Sequence, residues 1–317
     1  MSQNDTISKS VAQLYQKYAE QHDVHVLQKI LSREETKKTN VSRLYLFTLS
    51  LFTVITLIAA VYFGNDALEC LLSWLFGIRC IIPNNYFVWE ATRPISDCQF
   101  CINVTKPIIF QNATRDEFSQ YAYTSKPVVV KQAFLHWPAY KVFDFQFFKN
   151  LYARFEDGVR SVDEECQFLH FKSDFVSLQD VFEMSHARSK NLPDEKSWYV
   201  GWGNCHPQIL KELRKFYTKP QFLPEDCEMP AKDYVFMGFD AGATMHLDFI
   251  NRLMWQAQLK GSKTWRLLPS NECEDVCAPV TFKVEPGDAV LVDTRVWYHG
   301  TTITPGEFSL SIQSEYG

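Results

Sequence analysis

Twenty uncharged and mostly apolar residues in succession interrupt the polar N-terminal part of the chain. This run, LYLFTLSLFTVITLIAAVYF over 44–63, is long enough to cross the hydrocarbon layer of a bilayer as a helix. A cleaved signal peptide has a shorter apolar core that lies nearer the N-terminus. The pattern therefore predicts a retained signal-anchor helix over 44–64, after a polar tail (1–43) in which one amphipathic helix is expected.

A second apolar stretch, ALECLLSWLFGIRCII over 67–82, leaves two interpretations open. It is short for a membrane span, and it contains Glu69 and Arg79, which are costly inside a bilayer. We expect residues 65–97 to form a membrane-proximal stem. The alternative is that the stretch re-enters the membrane and returns the chain to the cytosol as a hairpin.

From residue 98 onward the pattern is that of a folded domain. KPVVVKQAFLHWPAY over 126–140 contains a β-branched run before Trp-Pro, as in a strand that enters a loop. Helical periodicity follows over 143–155, 178–187 and 207–217. Six short strands are then predicted between turns: 234–239, 245–248, 253–259, 264–268, 289–293 and 308–313. Strands after helices indicate a mainly β fold, an antiparallel barrel or sandwich with flanking helices.

Charged residues are distributed unequally about the predicted span. The flank just before it contains Lys29, Arg33, Lys37, Lys38 and Arg43. Asp66 and Glu69 follow it, and no further Lys or Arg occurs before Arg79. Because basic flanks stay in the cytosol, we expect a single-pass type II membrane protein. Its C-terminal domain would lie in the lumen of the endoplasmic reticulum or Golgi, or outside the cell.

All nine cysteines lie beyond the predicted span, between Cys70 and Cys277, which agrees with an oxidising compartment. The close pairs Cys98/Cys101 and Cys273/Cys277 could each bridge locally, but connectivity does not follow from sequence, and an odd number leaves one thiol over.

The net charge is −5 and the basic residues form no stripe, so no nucleic-acid partner is expected.

The segment TMHLDFINRL over 244–253 carries the first candidate chemistry. In a strand, His246 and Asp248 point to one face, and a buried carboxylate needs a compensating cation. With His299, which follows the apolar strand DAVLVDTRVWYHG, they would form the two-histidine, one-carboxylate triad of non-haem Fe(II) oxygenases. H-x-D alone occurs by chance, so the hypothesis depends on its context.

That context is an ordered set of motifs. MGFDAGATMHLDFINRLMWQAQLKGSKTWRLLP and EPGDAVLVDTRVWYHG contain H-x-D, QLKGSKTW, P-G-D and a histidine after an aromatic pair. Together with KPVVVKQAFLHWPAY, they resemble the JmjC-type, cupin-fold Fe(II)/2-oxoglutarate-dependent dioxygenases, and among these the relatives of the asparaginyl hydroxylase that inhibits hypoxia-inducible factor. The resemblance covers about 120–317 and implies a double-stranded β-helix (jelly roll), with Fe(II), 2-oxoglutarate and O₂ as reactants.

The resemblance also implies roles for individual residues. His246, Asp248 and His299 match the iron ligands. Lys263 matches the lysine that binds the distal carboxylate of 2-oxoglutarate, and Tyr199 matches the tyrosine that supports it. Three further residues are implied to line the cosubstrate pocket: Thr244, Asn251 and Gln313. Thr244 stands two residues before the first histidine where that family has three, and Gln313 stands where relatives often carry asparagine.

We therefore expect a membrane-anchored Fe(II)/2-oxoglutarate-dependent oxygenase, a hydroxylase of a protein substrate in the secretory-pathway lumen. The anchor disfavours histone demethylation. The alternative is a non-catalytic cupin-fold scaffold protein of the same pathway, which would be favoured if Lys263 and Tyr199 pointed away from the metal. A Golgi glycosyltransferase is suggested by topology alone, and no D-x-D motif lies in a suitable loop. The substrate, the residue hydroxylated and the oligomeric state do not follow from the sequence.

The orientation predicts N-glycosylation at two sequons, Asn103-Val104-Thr105 and Asn112-Ala113-Thr114. Deglycosylation of the full chain from cells should increase its gel mobility, and Asn103→Gln and Asn112→Gln should each remove one step of that shift. Labelling of Cys98 by a membrane-impermeant thiol reagent from the cytosolic side would contradict the orientation.

Overall fold

The computed structural model describes residues 10–14, 16–17, 29, 47–56, 71, 75, 86–239 and 242–317. The chain divides into two units, Met1–Arg93 and Pro94–Gly317. In the first unit, residues 47–56 are helical and helix α1 spans Tyr86–Thr92.

The predicted membrane span falls largely outside the described residues. Of 44–64, only 47–56 are described, and of the apolar stretch over 67–82, only residues 71 and 75. Within these described segments, no helix has both the length and the apolar character needed to cross a bilayer.

The second unit begins with short helices. In its described part these are α2 Arg115–Ser119, α3 Pro138–Val142, α4 Phe145–Tyr152, α5 Gly158–Glu164, α6 Leu178–Glu183, α7 His186–Ser189 and α8 Pro207–Leu213. The three predicted helices are present but shorter. Over 178–187, for example, the Ser185 hydroxyl accepts a hydrogen bond from the Arg188 amide at 3.0 Å. This cap begins a new helix, so one predicted helix becomes two.

The strands form two sheets. They are β1 Ile108–Phe110, β2 Val128–Val130, β3 Phe168–Leu169, β4 Tyr199–Asn204, β5 Asp233–Gly238, β6 Leu253–Lys260, β7 Lys263–Leu268, β8 Val280–Val284, β9 Ala289–Val292, β10 Tyr298–Ile303 and β11 Ser309–Tyr316. The larger sheet has the order β1-β2-β9-β6-β11-β5-β4-β3 and the smaller sheet the order β10-β7-β8. All neighbours are antiparallel except β1 and β2. The prediction of a mainly β fold with flanking helices is confirmed.

The larger sheet is buried on both faces, and each face has a different environment. Leu310 and Ile312 of β11 pack into the apolar cluster that includes Phe148 of α4 and Leu213 of α8. Ser311, between them, points to the opposite face, because successive strand residues alternate. That opposite face looks into the space between the two sheets, where the candidate site lies.

Two differences from the predicted strands have physical reasons. Residues 245–248 do not form a strand, since only His246 makes a bridge, to His299, and the Asp248 amide donates to the Thr294 carbonyl oxygen instead. Strand β4 was not predicted because its glycines at 201 and 203 have low strand propensity. Glycine is needed at 201, where an added Cβ would lie 2.5 Å from the Phe236 ring.

The structure decides the disulfide pairing that the sequence left open, and the close pairs do not bridge locally. The close pairs bridge to each other, Cys98 to Cys273 and Cys101 to Cys277. Residues 98–100 form a 3₁₀ turn, in which positions three apart eclipse each other, so both thiols face the same loop. A third disulfide joins Cys166 to Cys205, and Cys227 is the free cysteine of the described residues.

Helix α8 is tied to the sheet by a buried carboxylate. Asp233 at the start of β5 is fully buried and accepts hydrogen bonds from Arg214 Nε and Nη2, each at 2.8 Å, and from the Tyr217 hydroxyl at 2.7 Å. The guanidinium supplies the positive charge that keeps this carboxylate stable inside the protein.

Arg214→Met should therefore lower the free energy of unfolding by about 3–5 kcal/mol, because it leaves a buried carboxylate without a cation. Urea unfolding followed by tryptophan fluorescence measures the change. Arg160→Met is the control, since Arg160 pairs with Glu164 on an exposed helix face and should change stability by about 0.5 kcal/mol at most. An Arg214→Met effect as small as the control's would contradict this role of the Arg214 guanidinium.

Candidate metal centre and cosubstrate pocket

Two histidines and one aspartate converge at one end of the space between the sheets. One ligand atom from each of His246, Asp248 and His299 lies within 4.8 Å of the others. His246 Nε2 is 3.3 Å from Asp248 Oδ1, and His299 Nε2 is 3.8 Å from Asp248 Oδ2. The two imidazole centroids are 4.2 Å apart. This donor set suits a divalent transition metal, and for Fe(II) it is the facial triad.

Backbone pairing brings these residues together. His246 and His299 exchange both hydrogen bonds of an antiparallel pair, at 3.0 and 2.9 Å, and such paired residues point to the same face of a ladder. The Asp248 amide donates to the Thr294 carbonyl oxygen at 2.9 Å, which places Asp248 beside the pair. The bridge thus places His246 and Asp248 beside His299, as the predicted strand over 245–248 was expected to do.

Both imidazole rings are oriented by backbone carbonyls. His246 Nδ1 lies 2.6 Å from the Thr244 carbonyl oxygen, and His299 Nδ1 lies 3.3 Å from that of Trp297. These contacts leave both Nε2 atoms directed at Asp248, which is the arrangement of metal-binding histidines whose other nitrogen is held by a hydrogen bond. The Trp265 ring stacks on the His299 imidazole, with centroids 5.8 Å apart.

The ionisation of the triad suits a cation. Burial lowers the pKa of His299 to about 4, so its imidazole is neutral at pH 7 and available as a ligand. Burial opposes the charged forms of His246 and Asp248 as well, but their mutual attraction outweighs it. The pKa of His246 is raised by its hydrogen bond to Asp248. The pKa of Asp248 is lowered because the protonated forms of the His299 and His246 imidazoles favour its carboxylate.

A buried lysine lies in the same interior. Lys263 has no exposed surface, and its Nζ donates to the Tyr199 hydroxyl and to the Ser311 hydroxyl, each at 2.9 Å. Among the described residues, no carboxylate lies within ion-pairing distance of it. Burial lowers the pKa of Lys263 to about 7. A buried ammonium with hydroxyl partners alone fits an anionic ligand, and the distal carboxylate of 2-oxoglutarate is such a group.

The register of β7 and β10 relates the lysine to the triad. His299 pairs with Leu267, and Ile303 pairs with Lys263. Directly opposed residues share a face, so Lys263 and His299 point into one interior, four residues apart along the ladder. The two backbone positions are therefore roughly 13 Å apart. The long lysine side chain brings its Nζ closer to the triad than that.

Polar side chains occupy the interior between these two points. Thr301 is buried, and its hydroxyl accepts from the Ala243 amide at 2.9 Å. Gln256 donates to the Gln313 side-chain oxygen at 3.0 Å, while its own Oε1 is buried with no hydrogen-bond partner. The described interior thus contains an unused acceptor, Gln256 Oε1, beside the candidate cosubstrate pocket.

The predicted site residues divide into two groups. His246, Asp248 and His299 come together, and Lys263, Tyr199 and Gln313 face the same interior. Thr244 and Asn251 do not join them as pocket residues, since both side chains are exposed. They contribute backbone carbonyls instead, Thr244 to His246 Nδ1 and Asn251 to Arg295 Nη1 at 3.2 Å.

The sequence interpretation missed Ser311, Thr301 and Gln256. The signal for Ser311 is present in SLSIQS over 309–314, where polar residues alternate with Leu310 and Ile312. Alternation in a strand that is buried on both faces indicates a polar interior.

Comparison with known proteins agrees with the fold. The family model for the cupin-like domain matches residues 114–278. Among solved structures, the chain is similar to an oxidoreductase described as 2OG-Fe(II) oxygenase family, from Burkholderia pseudomallei. The two are 12% identical, with 67% of this chain and 95% of that chain covered and a TM-score of 0.38, which is too low to support a functional argument. Among curated proteins, none matches the chain.

The stability of the ligand-free protein should rise with pH between about 7 and 10, because of Lys263. Its pKa in the folded chain is about 7, below the ordinary value of 10.5, so in this window the unfolded chain holds a proton that the folded chain has released. At about 1.4 kcal/mol per pH unit, the full effect is roughly 5 kcal/mol at most.

Urea unfolding at pH 7, 8 and 9.5 measures this slope. Lys263→Met should flatten it and should stabilise the ligand-free protein at pH 7, because methionine fills a similar volume without charge. Lys260→Met, across the β7 turn, is the matched control and should leave the slope unchanged. An equal slope in wild type and Lys263→Met would contradict the prediction.

Proposed function

The chain belongs to the cupin-like domain family, and from that premise we propose that it is an Fe(II)- and 2-oxoglutarate-dependent oxygenase that hydroxylates a protein substrate. The observation that carries the proposal is the presence of two complementary sites in one interior. A buried lysine without an acidic partner faces the same space as a histidine, aspartate and histidine triad.

The proposed roles follow from the contacts. His246, Asp248 and His299 would hold iron on one side and leave its other positions open. When bound, iron and 2-oxoglutarate supply the activation of O₂ and the oxidative decarboxylation of the cosubstrate to succinate. Lys263 would bind the distal carboxylate.

The surrounding side chains keep the cosubstrate oriented and the pocket dry. The Tyr199 and Ser311 hydroxyls hold the Lys263 ammonium in place, and burial raises the pKa of Tyr199 well above its ordinary value, so its hydroxyl stays neutral. Trp265 covers one face of His299. Exclusion of water strengthens each charge-assisted contact in such a site.

We further propose that the chain is related to the asparaginyl hydroxylase that inhibits hypoxia-inducible factor. The ordered motifs from H-x-D to the distal histidine support this relation. The hydroxylated side chain is not specified by these motifs, since they bind iron and cosubstrate rather than the substrate.

The proposed location is the lumen of the secretory pathway or the cell surface, with a type II anchor over 44–64. The uncharged run and the basic residues before it support the anchor. The three disulfides of Pro94–Gly317 support an oxidising compartment.

A non-catalytic scaffold is the alternative function. It would be favoured by a lysine and tyrosine that point away from the triad. Lys263 and Tyr199 are instead buried and hydrogen-bonded to each other in the interior, which favours an enzyme.

Turnover of 2-oxoglutarate tests the proposal. The full chain in detergent should bind Fe(II) under anaerobic conditions and produce succinate when O₂ is added. His246→Ala should abolish metal binding and succinate production. Lys263→Ala should retain the metal but weaken 2-oxoglutarate binding roughly 10- to 100-fold, as expected for loss of a hydrogen bond to a charged group. Lys260→Ala is the control. Equal succinate production by wild type and His246→Ala would contradict the proposal that the protein is an oxygenase.

A further inference from the structure

The orientation of the His299 imidazole depends on the backbone of Trp297. His299 Nδ1 lies 3.3 Å from the Trp297 carbonyl oxygen, and this contact directs Nε2 toward Asp248. The Trp297 side chain is fully buried, and its indole Nε1 donates to the Ser125 carbonyl oxygen at 2.8 Å. A displacement of the indole would therefore also displace the carbonyl that holds His299.

Phe100 covers one side of the Trp297 indole. The two ring centroids are 5.0 Å apart and the ring planes are at 88°, an edge-to-face contact that favours a fixed geometry. Phe100 belongs to the same apolar cluster as Trp265, whose ring stacks on His299. The aromatic side chains around this histidine therefore extend outward to residue 100.

The segment that carries Phe100 is not part of a sheet. Residues 97–104 form a 3₁₀ turn and a loop, and none of them belongs to either sheet. Two disulfides, Cys98–Cys273 and Cys101–Cys277, flank Phe100 and join this segment to the loop between β7 and β8. Because the segment lacks the hydrogen bonds of a sheet ladder, these covalent links and the packing of Phe100 in its apolar cluster hold it in place.

We propose that segment 97–104, held by its two disulfides, is a positioning element for the metal centre. Through Phe100 and Trp297, it fixes His299 in the orientation that a metal ligand requires. The inference rests on the proposed function, because it takes His299 to be a ligand. It makes metal affinity depend on the oxidation state of two particular disulfides.

The chemistry of that dependence is thiol–disulfide exchange. A dithiol reductant breaks each S–S bond, leaves two cysteine thiols on the protein and is itself oxidised to a disulfide. The Cys166–Cys205 disulfide takes no part in the contacts between Phe100 and His299, and it joins a different part of the domain, at the end of β4. It therefore provides an internal control for a general effect of disulfide loss.

The first test measures Mn(II) affinity of the full chain in detergent, from the electron paramagnetic resonance signal of free Mn(II). Cys101→Ser/Cys277→Ser should weaken Mn(II) binding about tenfold or more, as loss of the support around a ligating histidine does. Cys166→Ser/Cys205→Ser is the matched control. It should change the affinity by less than about threefold, because this disulfide does not support the ligating histidine.

The second test retains every disulfide, so it tests the positioning inference even if the cysteine variant fails to fold. Phe100→Leu keeps an apolar side chain but loses the ring edge against Trp297. It should weaken Mn(II) binding in the same direction and should change the visible absorption spectrum of bound Co(II). That spectrum reports ligand geometry, which a loss of stability alone does not alter.

The outcomes separate the two proposals. If the wild-type chain binds no Mn(II), the proposed function fails. If wild type binds Mn(II), and Phe100→Leu binds it with unchanged affinity and an unchanged Co(II) spectrum, the positioning inference is overturned while the proposed function stands. Equal weakening by both cysteine double variants would also overturn it.

Discussion

The buried ammonium of Lys263 is the constraint on which the interior of this domain depends. A cation inside a protein is stable only when nearby groups replace its hydration. Here the replacements are the hydroxyls of Tyr199 and Ser311, which offer dipoles rather than a full negative charge. Burial accordingly lowers the pKa of Lys263 to about 7. A core built for stability alone would place methionine or leucine at this position. The proposed 2-oxoglutarate would bring the missing charge through its distal carboxylate.

The space between the two sheets has an apolar part and a polar part. One part is apolar and includes Val129, Leu267 and Val290, together with Trp265 and Trp297 beside His299. The other part presents hydroxyls and amides from β4, β6, β10 and β11. The apolar part gives the histidine a rigid surrounding, because closely packed aromatic rings have few alternative arrangements. The polar part includes the Gln256 side-chain oxygen, which is buried without a hydrogen-bond partner.

The disulfides extend this rigidity beyond the sheets. Segment 97–104 has no place in a ladder, and two covalent links hold it against the loop after β7. The same links place Phe100 on Trp297. Disulfides of this kind form in oxidising compartments, in line with the location proposed above.

The sequence by itself determined the chemistry of the site, because chemistry is local. H-x-D, QLKGSKTW and a histidine after an aromatic pair specify which side chains are available. The alternation in β11 indicates a polar interior only once the strand is known to be buried on both faces. The mainly β fold likewise follows from short-range periodicity. Tertiary structure decided what depends on distant segments. It paired the backbone of His246 with that of His299 and joined Cys98 to Cys273 and Cys101 to Cys277. It also exposed the side chains of Thr244 and Asn251, whose carbonyls accept hydrogen bonds instead. These outcomes depend on which surfaces meet, and sequence spacing does not specify the distance between residues that are remote along the chain.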